Sequence, residues 1–296
     1  MTSYQANHIL GYPTDARLLI VNADDFGMCH AINEAIIRCL QSGLIHSTTL
    51  MVPCPWALHA MHYLAEHPEI PFGIHLTAIS DPADYRWGPL LPPQKVPSLV
   101  EPSGYFFNFE GMSQLFSQIN LQHLEAEFKA QIEAVFAAGL KPTHLDWHAL
   151  RLQNQPDIFD LMIRLAKESG LALRVAGRER IEKLQSQGLP TIDRDFLDSY
   201  LIQPDKKLAQ YAQLLRELPS GLSEWAVHPG LNTPELLALE PTGNHERQID
   251  FDFWTSPVAK EIIEEENITL LDYRFLQAFW GDEQLYNDEA TMNTNG

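Results

Sequence analysis

Two adjacent carboxylates, Asp24 and Asp25, end the apolar run "LLIVNADDFG" (18–27). Side by side they repel one another, and a loop that needs only polarity does not require both. Three further segments place ionisable side chains in or just after strand-like runs: His75 in "GIHLT", His144, Asp146 and His148 in "PTHLDWH", and His228 in "VHPG". Taken singly, most have an ordinary explanation. One aspartate after a strand is a helix N-cap, His75 a hydrogen-bonded core residue, and His228 incidental to a Pro229-Gly230 turn. The trio is different. Strand side chains alternate faces, so residues 144, 146 and 148 share one face while Leu145 and Trp147 take the other. Three ionisable groups on one face of an apolar domain are costly unless they pair or hold a metal.

One carboxylate and two imidazoles drawn from separate segments make an open site suited to Zn²⁺ or another divalent ion. Such an ion lowers the pKa of a bound water and polarises a carbonyl. A second carboxylate beside it then has a role as general base, and His228 as general acid toward a leaving nitrogen or alkoxide.

Positioning such groups requires strands that end together. Strand-like "RLLIVNA", "STTLMVP", "PFGIHLTAI", "PTHLDWHA", "LALRVAG", "SEWAVHPG" and "ITLLDYRF" alternate with helix-like segments. Among the latter are "HAINEAIIRCLQSG" with Gly43 as its stop, "PWALHAMHYLAEHP", "LQHLEAEFKAQIEAVFAAGL", "PDIFDLMIRLAKESG", "DKKLAQYAQLLREL" and "SPVAKEIIEEEN". That alternation predicts a parallel sheet covered by helices, with chemistry at the C-terminal strand ends. Residues 80–110 are rich in Pro, Gly and aromatics, the composition of a functional loop. Residues 180–222 are mixed.

The 296 residues carry no linker or repeat, so a single domain over 1–296 is expected, its core at about 17–277 and a flexible acidic tail at 281–296. A net charge of −19 speaks against nucleic-acid backbone and anionic membrane as partners but not against a neutral sugar. No apolar run is long enough to span a bilayer and no signal peptide is visible. Three cysteines without metal-type spacing fit a reducing cytoplasm.

In order and spacing, "LLIVNADDFG", "GIHLT", "PTHLDWH" and "VHPG" resemble the YdjC/ChbG family of carbohydrate deacetylases, from about Arg17 through "ITLLDYRFL". The resemblance implies a distorted, TIM-like (β/α) barrel of about seven β/α units, akin to polysaccharide deacetylases. It also implies hydrolysis of the acetamide of N-acetylated sugars, chitooligosaccharides above all, with one divalent ion, Mg or Zn. Carried over to this chain, it makes Asp24 the general base and Asp25, His75 and His148 the metal ligands. His144 and Asp146 become supporting or substrate-contacting groups, His228 the acid, and Arg174 a group that orients Asp24 or a sugar. Many relatives continue the motif with further histidines where this chain has "HLDWHALRL", with Leu150 and Leu152 in those places and Trp147 for a serine. Arg86 and Trp87, with Tyr85, Tyr105, Phe106 and Phe107 of the long loop, offer stacking platforms for pyranose rings or form a lid packed on the barrel. The substrate is expected to be a small molecule or oligosaccharide, and a homo-oligomer such as a dimer is compatible with the sequence. A metal hydrolase of another amide, ester or phosphoester, and a catalytically silent sugar binder on the same barrel, remain open alternatives.

Overall fold

Among the described residues, eight parallel strands form the centre of the molecule: β1 (Arg17–Phe26), β2 (Ser47–Leu50), β3 (Phe72–Thr77), β4 (His144–His148), β5 (Ala172–Leu173), β6 (Leu197–Asp198), β7 (Gly221–Val227) and β8 (Ile268–Leu271). The computed structural model describes residues 6–82, 84–149 and 155–280. Leu150, Leu152 and the acidic tail from 281 therefore lie outside the described residues. The strands run in the order β5-β4-β3-β2-β1-β7-β6, with β8 on β1. Residues 17–20 of β1 pair with β8 and residues 22–26 pair with β2, while β7 lines its other side. β1 is thus the most enclosed strand, and from Leu18 to Phe26 every residue is buried. A strand covered on both faces reads as a continuous apolar run, which is why "LLIVNA" shows no alternation. The result is a distorted (β/α) barrel whose end strands, β5 and β6, are only two residues long.

Helices close the outer face by ordinary rules. The helix His30–Ser42 turns its apolar stripe inward and ends at Gly43, whose φ of +78° is the left-handed stop. Helices Leu121–Ala137 and Pro156–Ser169 cover β3 and β4 in the same manner. Several elements depart from the sequence reading. "LALRVAG" keeps only Ala172–Leu173 as strand, and short helices Met112–Gln118, Arg178–Ser186 and Pro234–Leu239 fill segments to which the sequence reading assigns no helix. The helix Asn244–Trp254 escapes the hydrophobic pattern because three of its inward residues are Asn244, Arg247 and Asp250, ahead of Phe253 and Trp254. A polar buried stripe leaves no apolar period to find.

The 80–110 segment is a packed cover. Trp87, Val96, Leu99, Phe106 and Phe107 are all buried, and the bridge Ile79–Phe107 ties the segment to the end of β3.

Beneath the strand ends, His144 lies flat on Tyr273, ring centroids 3.6 Å apart. A Cβ on Gly73 would sit 2.5 Å from Cε1 and Nε2 of that ring. Since the buried His144 ring is already stacked on Tyr273 and would have to shift, Gly73→Ala is expected to destabilise the fold by about 1–3 kcal/mol. The check is a lower denaturant midpoint at unchanged m-value.

Candidate active site

The local backbone explains how two neighbouring aspartates can both serve one site. Between Ala23 and Phe26, β1 advances three residues while β2 advances two, from Thr48 to Leu50. The extra residue makes a β-bulge, and Asp25 takes the left-handed conformation at φ +74°. Aspartate tolerates that region better than most residues, at a cost on the order of 1 kcal/mol. Strict alternation would send Asp24 and Asp25 to opposite faces; the bulge lets both line one pocket.

Asp25 is 1% exposed. Its Oδ2 meets Arg247 Nη2 at 2.9 Å. Its Oδ1 faces His75 Nε2 at 3.4 Å and His148 Nδ1 at 3.2 Å, yet has no hydrogen-bond partner of good geometry. Burial alone would raise its pKa, but Arg247 and the two imidazoles hold it well below the usual carboxylate range. Each imidazole places its other nitrogen on a further carboxylate: His75 Nδ1 on Asp146 Oδ1 at 2.8 Å, His148 Nε2 on Asp81 at 2.8 and 2.9 Å. A metal-ligating histidine is oriented in this way. The donor atoms of Asp25, His75 and His148 all lie within 4.8 Å of one another. A buried carboxylate oxygen without a partner, faced by two carboxylate-backed imidazoles, fits a divalent cation.

Asp24, His75 and Asp146 are equally close together, but that space is already served by a cation. Arg174 grips Asp24 at 2.6 Å (Nη1–Oδ2) and 2.8 Å (Nη2–Oδ1), reaches Asp146 Oδ2 at 2.6 Å, and turns Nε to Glu224 at 2.7 Å. One guanidinium therefore serves three buried carboxylates. Against burial, which alone would raise it, Arg174 drives the Asp24 pKa far down. Glu224, where burial wins over Arg174 and Tyr273, is pushed up to about 7. Asn22 Nδ2 also donates to Asp24 Oδ1, at 2.7 Å. His228 stands opposite, its Nε2 3.8 Å from Asp24 Oδ2 and its ring against Tyr200.

Asp24, Asp25, His75, His148, Arg174 and His228 thus share one pocket of about 1120 Å³. The structure brings together the strand ends that the sequence singled out. Other residues fall elsewhere. His144 shares a strand face with Asp146 and His148, as alternation requires, but lies four residues deeper, ~13 Å along the strand. It is fully buried, bonds Thr143, makes no contact with the pocket and leaves its Nε2 without a partner. It therefore cannot contact substrate. Burial and nearby Arg174 keep it neutral by holding its pKa well down. Trp87 and Arg86 also need correction as sugar contacts. Trp87 is 2% exposed and donates Nε1 to Ile79 O, while Arg86 is spent on Ser80, Phe106 and Glu101. Their loop is held by its own polar bonds and by apolar burial, so it packs as a lid, and among the site's residues Trp87 approaches the ring of His148, at 6.1 Å. The aromatic side chains that line the pocket among the described residues are those of Trp147, Phe109, Phe196 and Tyr200.

Four site residues escape the sequence reading: Asp81, Arg247, Glu224 and Tyr200. Asp81 had a signal, since "ISDP" places a carboxylate just beyond β3 as "NADD" does at the end of β1. Glu224 lies mid-strand amid apolar neighbours. Arg247 sits on the helix without apolar period, and Tyr200 in a segment with no clear pattern.

Asp81→Asn removes the charge behind His148 and is expected to weaken divalent-ion binding about 10- to 100-fold, read by calorimetric titration of metal-free protein. The flanking carboxylates outweigh burial and raise His75 to about 9 and His148 to about 10. A cation must displace those protons, so affinity is expected to rise with pH from 6 to 9, with proton release measurable in weak buffer.

Among the described residues no helix is long and apolar enough to cross a membrane. The model of the family described as YdjC-like protein matches residues 18–265. A carbohydrate deacetylase of Thermoanaerobacter pseudethanolicus is 29% identical, over 88% of this chain and 100% of its own length. One of Geobacillus stearothermophilus is 31% identical, over 87% and 97%. A chitooligosaccharide deacetylase of Yersinia enterocolitica is 28% identical, over 87% and 98%. A crystal structure from Enterococcus faecalis V583, of a candidate cellobiose-phosphate cleavage protein, superposes with a TM-score of 0.75 at 29% identity, covering 88% of this chain and 99% of that one. By the extent of the family match and by these full-length relatives, the chain belongs to the YdjC-like protein family.

Proposed function

We propose that this protein is a divalent-metal-dependent hydrolase that removes acetyl groups from N-acetylated sugars or oligosaccharides of the chitooligosaccharide type. The observation that carries the reading is the partnerless Oδ1 of Asp25, faced by His75 and His148 beside the ionised Asp24. The names of the full-length relatives point to the same substrate class. Asp25, His75 and His148 would hold the ion, and their two imidazoles suit zinc better than magnesium, which prefers oxygen ligands. When bound, the ion supplies Lewis acidity, acidifying a water and polarising the acyl carbonyl.

Asp24 is the proton acceptor. Arg174 fixes both its oxygens and keeps it ionised, which also makes it a weak base suited to a water already acidified. His228 Nε2, across the same gap, donates a proton to the departing amine. Trp147, Phe196 and Tyr200 offer apolar faces against which a pyranose ring can lie.

The test is a product screen with metal-loaded protein. Acetate should appear from N-acetylglucosamine oligomers. Turnover confined to acetyl esters or phosphoesters would overturn the substrate class.

A further inference from the structure

Arg247 stands beside the ion site, and the reaction above gives it no task. It comes from the helix Asn244–Trp254 and is buried, yet it lines the pocket together with Glu240, from the turn before that helix. Its fork closes on Glu240, Nε donating to Oε2 at 2.7 Å and Nη2 to Oε1 at 3.0 Å. Nη2 also stands 2.9 Å from Asp25 Oδ2. That last contact is one of charge, because the other hydrogen of Nη2 goes to Met28 Sδ at 3.8 Å. Nη1 has no hydrogen-bond partner among the described residues. The stem is equally fixed. Gly230 of "VHPG" donates its N–H to Arg247 O at 3.1 Å, and a Cβ there would sit 2.9 Å from Arg247 Cβ and 3.1 Å from Cδ. Only a glycine at 230 leaves room for the arginine beside the end of β7. On the pocket side, Cζ lies 5.6 Å from the ring centroid of Tyr200.

The two oxygens of Asp25 therefore differ. Oδ1 faces His75 and His148 without a partner, while Oδ2 already has a cation against it. A carboxylate that binds an ion through both oxygens must bring the ion close to each, and a guanidinium charge on one of them opposes this. Glu240 completes the balance. Asp25, Arg247 and Glu240 together carry one net negative charge, as Asp25 alone does, so the arginine occupies Oδ2 without cancelling the charge offered to an ion. We infer that the Arg247–Glu240 pair restricts Asp25 to ligation through one oxygen and so selects a small ion of low coordination number, zinc above all, against calcium. Calcium takes more oxygen ligands and readily binds a carboxylate through both. The inference rests on the reading of Asp25 as a ligand, and Arg247 and Glu240 act through it as positioning residues.

The test keeps that balance. Arg247→Met combined with Glu240→Gln removes the cation and its partner together, leaving Asp25 with the same net charge and a free Oδ2. Calorimetric titration of metal-free protein with zinc, and separately with calcium, compares this double variant with wild type and with Glu240→Gln. Wild type should prefer zinc. In the double variant that preference should fall by about 10- to 100-fold, chiefly through tighter calcium, the range over which groups behind metal ligands act. Glu240→Gln alone leaves Arg247 on Oδ2 with its charge no longer offset. Both ions should then weaken by a similar factor, on the order of tenfold, with the preference kept. An unchanged preference in the double variant would overturn the inference, as would wild-type affinity for both ions in Glu240→Gln. A second measurement needs no variant to fold. Crystals of zinc-loaded wild type should show one Asp25 oxygen on the ion and Arg247 still against the other; both oxygens on the ion would overturn the one-oxygen role. The two levels separate cleanly. Wild type that binds neither ion overturns the ligand reading of Asp25 and this inference with it, whereas zinc held on Asp25 with selectivity unmoved in the double variant overturns this inference alone.

Discussion

Asp24→Asn is expected to lower kcat for an N-acetylated sugar by about 10²- to 10⁴-fold while metal content stays at the wild-type level. The substitution is nearly isosteric, and its amide oxygen can still accept from Arg174 or Asn22. Arg174 keeps Asp146 and Glu224 as counter-charges, so no guanidinium is stranded in the interior. What disappears is the ability to take a proton. Removing Arg174 would be a poorer probe. Three buried carboxylates would then lack their cation, and breaking one buried pair already costs about 3–5 kcal/mol. Folded protein with intact metal and lost turnover is the signature of a base. Wild-type kcat in Asp24→Asn would exclude that role.

The second large effect concerns the ion itself. His148→Ala deletes one of three donors and is expected to weaken divalent-ion binding more than the roughly hundredfold upper bound for an outer partner such as Asp81. Turnover should fall with occupancy. Because the change also leaves Asp25 and Asp81 without the ring between them, some loss of stability is expected in the metal-free state. Asp25→Asn controls for this, since it keeps the shape of the site and removes the charge. Thermal unfolding with and without zinc gives the readout. The wild-type midpoint should rise with added ion, as binding to the folded state requires, and both variants should show little or no rise. A full zinc-dependent shift in both would remove Asp25 and His148 from the ligand set.

Much of this site is legible in sequence because polar residues at the ends of apolar strands stand out. Asp24, Asp25, His148 and His228 lie at or just past strand ends and His75 interrupts an apolar strand near its end, and the (β/α) alternation brings such ends together. Less legible is what depends on register and depth. His144 looks equivalent to His148 by parity, but four residues of rise separate them, and only the sheet places His144 against Tyr273. The bulge at Asp24–Asp25 has no local signature beyond the pair itself, since aspartate is not the residue that usually announces a left-handed backbone. Arg247 and Asp250 are hidden for another reason. They lie on the inward face of a helix whose buried stripe is partly charged, so hydrophobic periodicity passes over it. The aromatic loop misleads in the opposite sense, because Trp87, Phe106 and Phe107 serve packing, whereas Trp147, at the end of β4 and on the other strand face from His148 by parity, still borders the pocket.

Metal-dependent deacetylation by the Asp24–Asp25 pair is tested most directly by following acetate release from N-acetylglucosamine oligomers as zinc is added to metal-free protein. Turnover is expected to rise with zinc and level off at one equivalent per chain, while Asp24→Asn binds the same equivalent and stays inactive. Full acetate release by metal-free wild type in the presence of chelator would contradict it.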